Sequence, residues 1–472
     1  MCTCMIAGRN ASAGGRVIFA ANDDWDHVAG VMTHVCGAAH APGDTRLLTG
    51  GQRIPQPEET FGYSYTACSY SIGTLDRSWA GGMNDRGVAA AGTGVDAYKF
   101  REMRPLWENR GCALEPDDIP LLILERGRSA RDAVRMVADL IMEYGMRPSQ
   151  APGSPGTSSA TFSVADAREG WVLETAPGRC FVAVRVPDDM VSVRVNCFGT
   201  HDADLTDAEN TIASPGLTEL AQACGFPSPD GRHFDFAAAF GAETSPTEWG
   251  PERDPMNRRR VWRAMNLISG EEGPEEELRY AVRPGKPLVP EDLMRVLSDV
   301  YDGTPYDLGN VPESGRFHDP FAEGMPDYAL CRRGTVSSIV SEFAGQAGDS
   351  VLWTALGTPR MVPYIPIYAD IRHLPAFMEG NRAEADERSF YYEMKKLCVC
   401  TEYCYERNIL LTGRRKEELE KEMRERLLLE RAELCAAAGE ERRGLRARFT
   451  EEHLRTALDA CRKTCGALLE GY

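Results

Sequence analysis

The sequence predicts an α+β fold, and three observations carry that reading. Short apolar stretches bounded by turn residues recur in two groups, one before residue 95 and one between 160 and 196. Helical periodicity with a start and a stop signal fills 119–145 between them. From about residue 385 helical spacing takes over entirely. Helices on either side of two antiparallel groups of strands imply layers in the order helix, sheet, sheet, helix, followed by a helical C-terminal region.

Met5-Ile6-Ala7, before Gly8-Arg9-Asn10, reads as the first strand. Residues 15–21 read as the second, closed by an acidic turn at Asn22-Asp23-Asp24 that continues to Asp26. A hairpin follows from Trp79, with its turn at Asn84 to Gly87. Its second strand, 88–94, is built of Ala, Gly and Thr, which leaves room for another backbone or a ligand to approach closely. In the helical segment Ser129 and Asp132 form a capping-box variant. Val134, Val137, Leu140 and Ile141 then mark a buried stripe, and Gly145 stops the helix. After a Pro-, Ser- and Gly-rich loop at 147–159, strands at 160–164, 171–174, 180–186 and 190–196 read as a four-stranded meander. Arg258 to Arg263 holds four arginines and opens another helix; further strands are expected at 350–353 and 363–368. Leu419, Met423 and Leu427, then Leu454, Leu458, Cys461, Cys465 and Leu468, keep helical spacing to the end. An amphipathic tail of this kind suits packing on the main body or self-association into a homo-oligomer.

Bulk properties narrow the function. A net charge of -18 over 472 residues lacks the basic face that nucleic acid requires. No run of 18 apolar residues is present for a membrane helix, and no basic-then-apolar leader precedes the fold, so a cytoplasmic protein is expected. In that compartment the 15 cysteines are expected as free thiols. The clusters Cys2/Cys4, Cys398/Cys400/Cys404 and Cys461/Cys465 lack paired C-x-x-C spacing, so neither a metal nor a cofactor is expected.

The start, Met1-Cys2-Thr3-Cys4, is chemically pointed. Removal of Met1 would leave Cys2 with a thiol and a free α-amine on one residue. Their reference pKa values, about 8.5 and about 7.7–8.0, allow proton exchange at neutral pH without a histidine. By position alone a packed or incidental thiol is the simpler reading, and for Cys4 it stands.

Several stretches resemble, in order, the PepD-like cysteine dipeptidases, a branch of the N-terminal nucleophile (Ntn) hydrolases that includes the secernins. They are Cys2-Thr3 with Ile6 and Gly8; Leu124-Glu125-Arg126 with Ser129 to Val134; Phe162 to Asp166; and Trp171-Val172-Leu173-Glu174. Arg185 to Asp188 with Asn196, Arg259 to Ala264, Thr304 to Leu308, and Pro359-Arg360 through Pro366 complete the series. The resemblance covers 2 to about 370. It implies a four-layer αββα fold over 2–380, a helical extension over 385–472, and metal-free hydrolysis of dipeptides, the partner being a small peptide or amide. Cys2 would be the nucleophile. By analogy with bile-salt hydrolases and penicillin V acylases, Asp24 would orient the Cys2 amine and Asn196 would donate its amide to the oxyanion. A backbone N–H near Thr93 or Gly94 would be the second donor, and Arg260 would stabilise the thiolate.

One position departs from the pattern. The family's first hairpin usually ends in Arg-Asn-Glu-Asp, whereas this chain has Ala21-Asn22-Asp23-Asp24. That leaves Arg259 or Arg260 as the source of the missing charge. It also keeps two alternatives open, a linear-amide hydrolase or acyltransferase acting on N-acyl substrates, and a non-catalytic scaffold.

Overall fold

The structure is a computed structural model that describes residues 2–25, 29–69, 81–95, 104–149, 159–226, 232–241, 253–275, 279–378 and 389–471. Met1, Asp26, the Trp79-Ala80 start of the expected hairpin and most of the 147–159 loop lie outside them. The chain divides into two compact units, one of residues 1–19, 37–61 and 86–289, the other of 20–36, 62–85 and 290–472.

In the first unit, strands Thr211–Ala213, Cys180–Arg185, Gly170–Ala176, Ser159–Ala165 and Ala89–Val95 lie side by side in that order, all antiparallel. Helices Asp118–Arg126 and Ala130–Tyr144 cover one face. The longer helix starts where expected, with the Asp132 N–H donating to the Ser129 hydroxyl at 3.2 Å, and it stops at Gly145, whose φ of 63° suits glycine. On the other face lies a second run of strands, Ala281–Val282, Val191–Arg194 and Thr3–Ala7, backed by helix Arg253–Ser269. Helix, sheet, sheet and helix therefore stack as expected. The sheets sit very close: a Cβ at Gly170 would fall 2.3 Å from Cγ2 of Ile6.

The second unit carries residues 20–24 of strand Ile18–Asp24 and, side by side after it, Thr335–Glu342, Val351–Ala355 and Ile365–Tyr368. It also carries the run Ala29–Val35, Tyr63–Ser69 and Gly82–Asn84. Helices Phe390–Glu402, Tyr405–Ala436 and Gly439–Glu470 pack on one another, and the last two lie on strand Ile365–Tyr368. Buried charge ties them down. Glu342 accepts from Arg424 and Arg431, Asp349 from Arg442 and Arg446, and Asp370 from Arg443 and Arg446.

Three expectations need correction. The second strand does not run over 15–21; it starts at Ile18 and continues through Asn22-Asp23-Asp24, where a turn was expected. Those polar residues are held by partners inside the fold. Asn22 Nδ2 donates to the carbonyls of Leu297 and Leu330, and the Thr335 hydroxyl donates to Asp24 Oδ1 at 2.6 Å. Turn chemistry read from sequence assumes that such side chains serve their own backbone. The meander also has three strands rather than four. Val191–Arg194 leaves it to pair with Thr3–Ala7, and Thr211–Ala213 takes its place beside Cys180–Arg185. Finally, the arginine-rich helix begins at Arg253, which puts Arg258 to Arg263 in its middle.

Burial pushes the carboxyls of Glu342 and Asp349 up, but their arginine partners outweigh it and hold both below the ordinary carboxylate range. A depressed folded-state pKa stabilises above the unfolded value and is lost as pH falls through the folded one. Urea unfolding should therefore show wild-type stability falling as pH drops below about 4. Arg446→Ala, which removes a buried partner of two carboxylates, should lower the unfolding free energy at pH 7 by about 3 kcal/mol.

Candidate active site

Strand Thr3–Ala7 pairs with Val191–Arg194 antiparallel, Ala7 opposite Val191 and Cys4 opposite Arg194. Continuing that register by two residues places Asn196 opposite Cys2. A slip of one residue would turn both side chains to the wrong face. The observed contact agrees with the register, since the Cys2 N–H donates to Asn196 Oδ1 at 2.9 Å. Cys2 is buried, with 4% of its surface exposed.

Arg260 fixes which way the Asn196 amide faces. Its Nη2 donates to Asn196 Oδ1 at 2.9 Å. A guanidinium only donates, so the atom it meets must be the oxygen. Asn196 Nδ2 consequently points the other way and gives one hydrogen to the Gly94 carbonyl at 2.8 Å. Gly94 lies near the end of strand Ala89–Val95, in the facing sheet. Its neighbour Thr93 is fully buried, and the Thr93 hydroxyl donates to the Val195 carbonyl at 2.9 Å. Thr93 thus anchors the backbone just before Asn196.

Arg260 is itself fully buried. Its Nη1 donates to the Cys2 carbonyl at 3.1 Å and lies 3.5 Å from the Thr3 hydroxyl. Nη2 also donates to Asn257 Oδ1, and Asn257 Nδ2 donates to the Asn196 carbonyl at 3.2 Å. Arg259 turns away to Glu275, 3.6 Å distant. Of the two arginines left open by the sequence, Arg260 reaches the Cys2 carbonyl.

Asn257 escaped the sequence reading. The signal was present: it precedes Arg260 by three positions, so the two share a helix face. Val261, Ala264 and Ile268 bury that side of the helix. A polar residue on a buried face beside a buried arginine is a pairing that helical spacing can reveal.

Asp24 belongs to the second unit and is fully buried at the end of its strand, opposite Thr335. The Thr335 hydroxyl accepts from the Arg332 N–H at 3.0 Å, so its own hydrogen is left for Asp24 Oδ1. Ala21, opposite Ile339, is buried in the same strand. Cys4 is buried and packed, with 1% of its surface exposed.

In the first unit, then, one thiol-bearing residue is held through its backbone nitrogen by a side-chain carbonyl oxygen, which a buried cation also grips. Amide hydrogens and a backbone strand edge lie alongside. Such a set can hold an amine, favour a thiolate and donate to a developing oxyanion.

The sequence profile described as Peptidase family C69 matches residues 1–417. The chain is similar to a probable dipeptidase of Latilactobacillus sakei, 27% identical over 382 residues, covering 78% of this chain and 74% of the relative. It is 24% identical over 404 residues to a probable dipeptidase B of Lactococcus lactis subsp. lactis, covering 83% and 79%. Against a probable dipeptidase of Salmonella dublin the identity is 26% over 390 residues, with 79% and 82% covered.

Asn257→Asp keeps an acceptor for Arg260 but adds a negative charge to its guanidinium, which opposes a thiolate nearby. Labelling of Cys2 by iodoacetamide at pH 7 should slow roughly tenfold in this variant and change less in Asn257→Ser, as followed by mass spectrometry.

Proposed function

The chain belongs to peptidase family C69, and from that premise we propose that it is a cysteine dipeptidase working through an acyl-enzyme on Cys2. The observation that carries the proposal is the shared oxygen of Asn196, which takes both the Cys2 N–H and Arg260. Three relatives named as probable dipeptidases, each aligned over most of its length, support the substrate class.

Removal of Met1 converts the Cys2 amide nitrogen into an α-amine. An amine or ammonium still carries hydrogens, so the bond to Asn196 Oδ1 survives the change. The amine takes the proton of the thiol, and the thiolate attacks the peptide carbonyl carbon, forming a C–S bond. Arg260, held at the Cys2 carbonyl, favours the anionic sulfur. Negative charge then collects on the carbonyl oxygen, where the second Nδ2 hydrogen of Asn196 and a backbone N–H at Gly94 are the donors. Collapse breaks the C–N bond, and the Cys2 ammonium returns its proton to the leaving amine. Water, deprotonated by the same amine, attacks the thioester carbon; collapse breaks the C–S bond, releases the acid product and leaves the Cys2 thiolate to recover its proton from the ammonium. The resemblance would add Asp24, as a carboxylate that raises the basicity of the Cys2 amine. Among the described residues no helix is long and apolar enough to cross a membrane; a cytoplasmic location is part of the proposal.

A panel of dipeptides, longer peptides and N-acyl amides tests this, run on wild type and Cys2→Ala after intact mass has established loss of Met1. Dipeptide turnover should fall at least a thousandfold, by order of magnitude, in Cys2→Ala. Asn196→Ala should lower kcat about a hundredfold, the scale of one lost oxyanion donor. Cleavage confined to N-acyl amides would reassign the substrate. Retained Met1 with undiminished turnover would remove the amine from the mechanism.

A further inference from the structure

Glu174 ends the Trp171-Val172-Leu173-Glu174 stretch and has no part in the chemistry above. It is fully buried, which is costly for a carboxyl group unless something holds it. Its partners lie along one short piece of chain. The Gly199 N–H donates to Oε1 at 2.8 Å and the Thr200 N–H to Oε2 at 3.2 Å. Arg194, 5% exposed, places its Nε 3.6 Å from Oε1. These partners, one ion pair and two N–H donors, flank Asn196 on both sides, two residues before it and three to four after it. Burial raises the Glu174 carboxyl above its ordinary value against the pull of Arg194 and the two N–H groups. These contacts are therefore what oppose its neutralisation.

The rest of the segment has little freedom to shift. Arg194 Nη1 donates to the carbonyls of Val193 and Tyr280 at 3.0 and 2.7 Å. Gly199 lies flat against Tyr280, and a Cβ there would fall 2.3 Å from the ring. Phe198 packs edge-on against Phe236 at 5.0 Å between centroids. Packing holds the segment down, but packing alone leaves it free to slide along an apolar surface. Two N–H groups aimed at the two oxygens of one carboxylate set its position along the chain.

We propose that Glu174 is a positioning residue for hydrolysis: its carboxylate, with Arg194, clamps the 194–200 segment so that the Asn196 amide sits where the oxyanion forms. The inference rests on the reading of Cys2 and Asn196 given above. It separates two functions of the site. Activation of the Cys2 thiol draws on the amine and Arg260; Asn196 Oδ1 helps to hold each, but Arg260 keeps other partners. Oxyanion stabilisation, by contrast, depends on the place of the Asn196 amide.

Glu174→Gln is the test, since it keeps shape but turns one oxygen into a donor that must face a backbone N–H. In the full-length processed protein, kcat on the best dipeptide should fall about thirtyfold, with KM within about threefold, a scale typical of a displaced oxyanion donor. Iodoacetamide labelling of Cys2 should fall by no more than about threefold, well short of the loss in kcat. Glu174→Asp, which retains the charge for Arg194 but reaches less far, should lose less activity and provides the readout if the glutamine variant does not fold. A folded Glu174→Gln with wild-type kcat overturns the inference. So does a loss of labelling in step with kcat, or failure of both variants to fold, either of which makes Glu174 a general support of the structure. Failure of the underlying reading looks different: Cys2→Ala would then keep its turnover.

Discussion

Cross-strand register between Thr3–Ala7 and Val191–Arg194 is the constraint on which the site depends. The two strands are far apart in sequence, yet four consecutive pairs settle which residue faces Cys2. Sheet hydrogen bonds are individually modest, but register is an all-or-none property because side chains alternate faces. Met5, Ile6 and Val193 are fully buried beside this ladder. Slipping the strands by one residue would send those side chains to the opposite face, which makes the pairing of Cys2 with Asn196 a by-product of core packing.

The second requirement is that the two sheets approach closely enough to share a hydrogen bond. Asn196 follows a strand of one sheet, and the Gly94 carbonyl that takes its amide hydrogen belongs to the other. Strand Ala89–Val95, AAAGTGV, presents little bulk, and Gly170 admits Ile6 across the same gap. Larger residues there would widen the separation of the sheets and break the Asn196 contact before they touched Cys2. The small strand is a spacing device.

How much of this the sequence disclosed differs by residue. Chemistry marked Cys2 as a candidate, because a thiol and an α-amine can share that residue, but only the family resemblance set it above a packed thiol. The helix at Ala130–Tyr144 was legible because its cap, stripe and stop agree. The fourth strand misled, since Val191–Arg194 follows its predecessor closely and local patterning cannot tell which sheet a strand joins. Asn22-Asp23-Asp24 misled for a related reason: polar residues read as a turn when their partners, Leu297, Leu330 and Thr335, lie some three hundred positions away. Glu174 went unassigned because its partners are mostly backbone groups, which leave no signature in sequence, whereas Asn257 was marked by its spacing from Arg260 and passed over.

Arg260 shows why these supporting residues matter. A buried guanidinium is expensive to desolvate, and removing any partner of a buried charge costs more than the partner contributes in isolation. The oxygens that receive it here, from Cys2, Asn196 and Asn257, are neutral. Neutral acceptors take hydrogens from both Nη atoms without bringing a compensating charge. A carboxylate in any of those places would bind the guanidinium more tightly and weaken its field at the sulfur. On the proposed reading of the site, Asn rather than Asp at both 196 and 257 is therefore what leaves the guanidinium charge to act on the Cys2 sulfur.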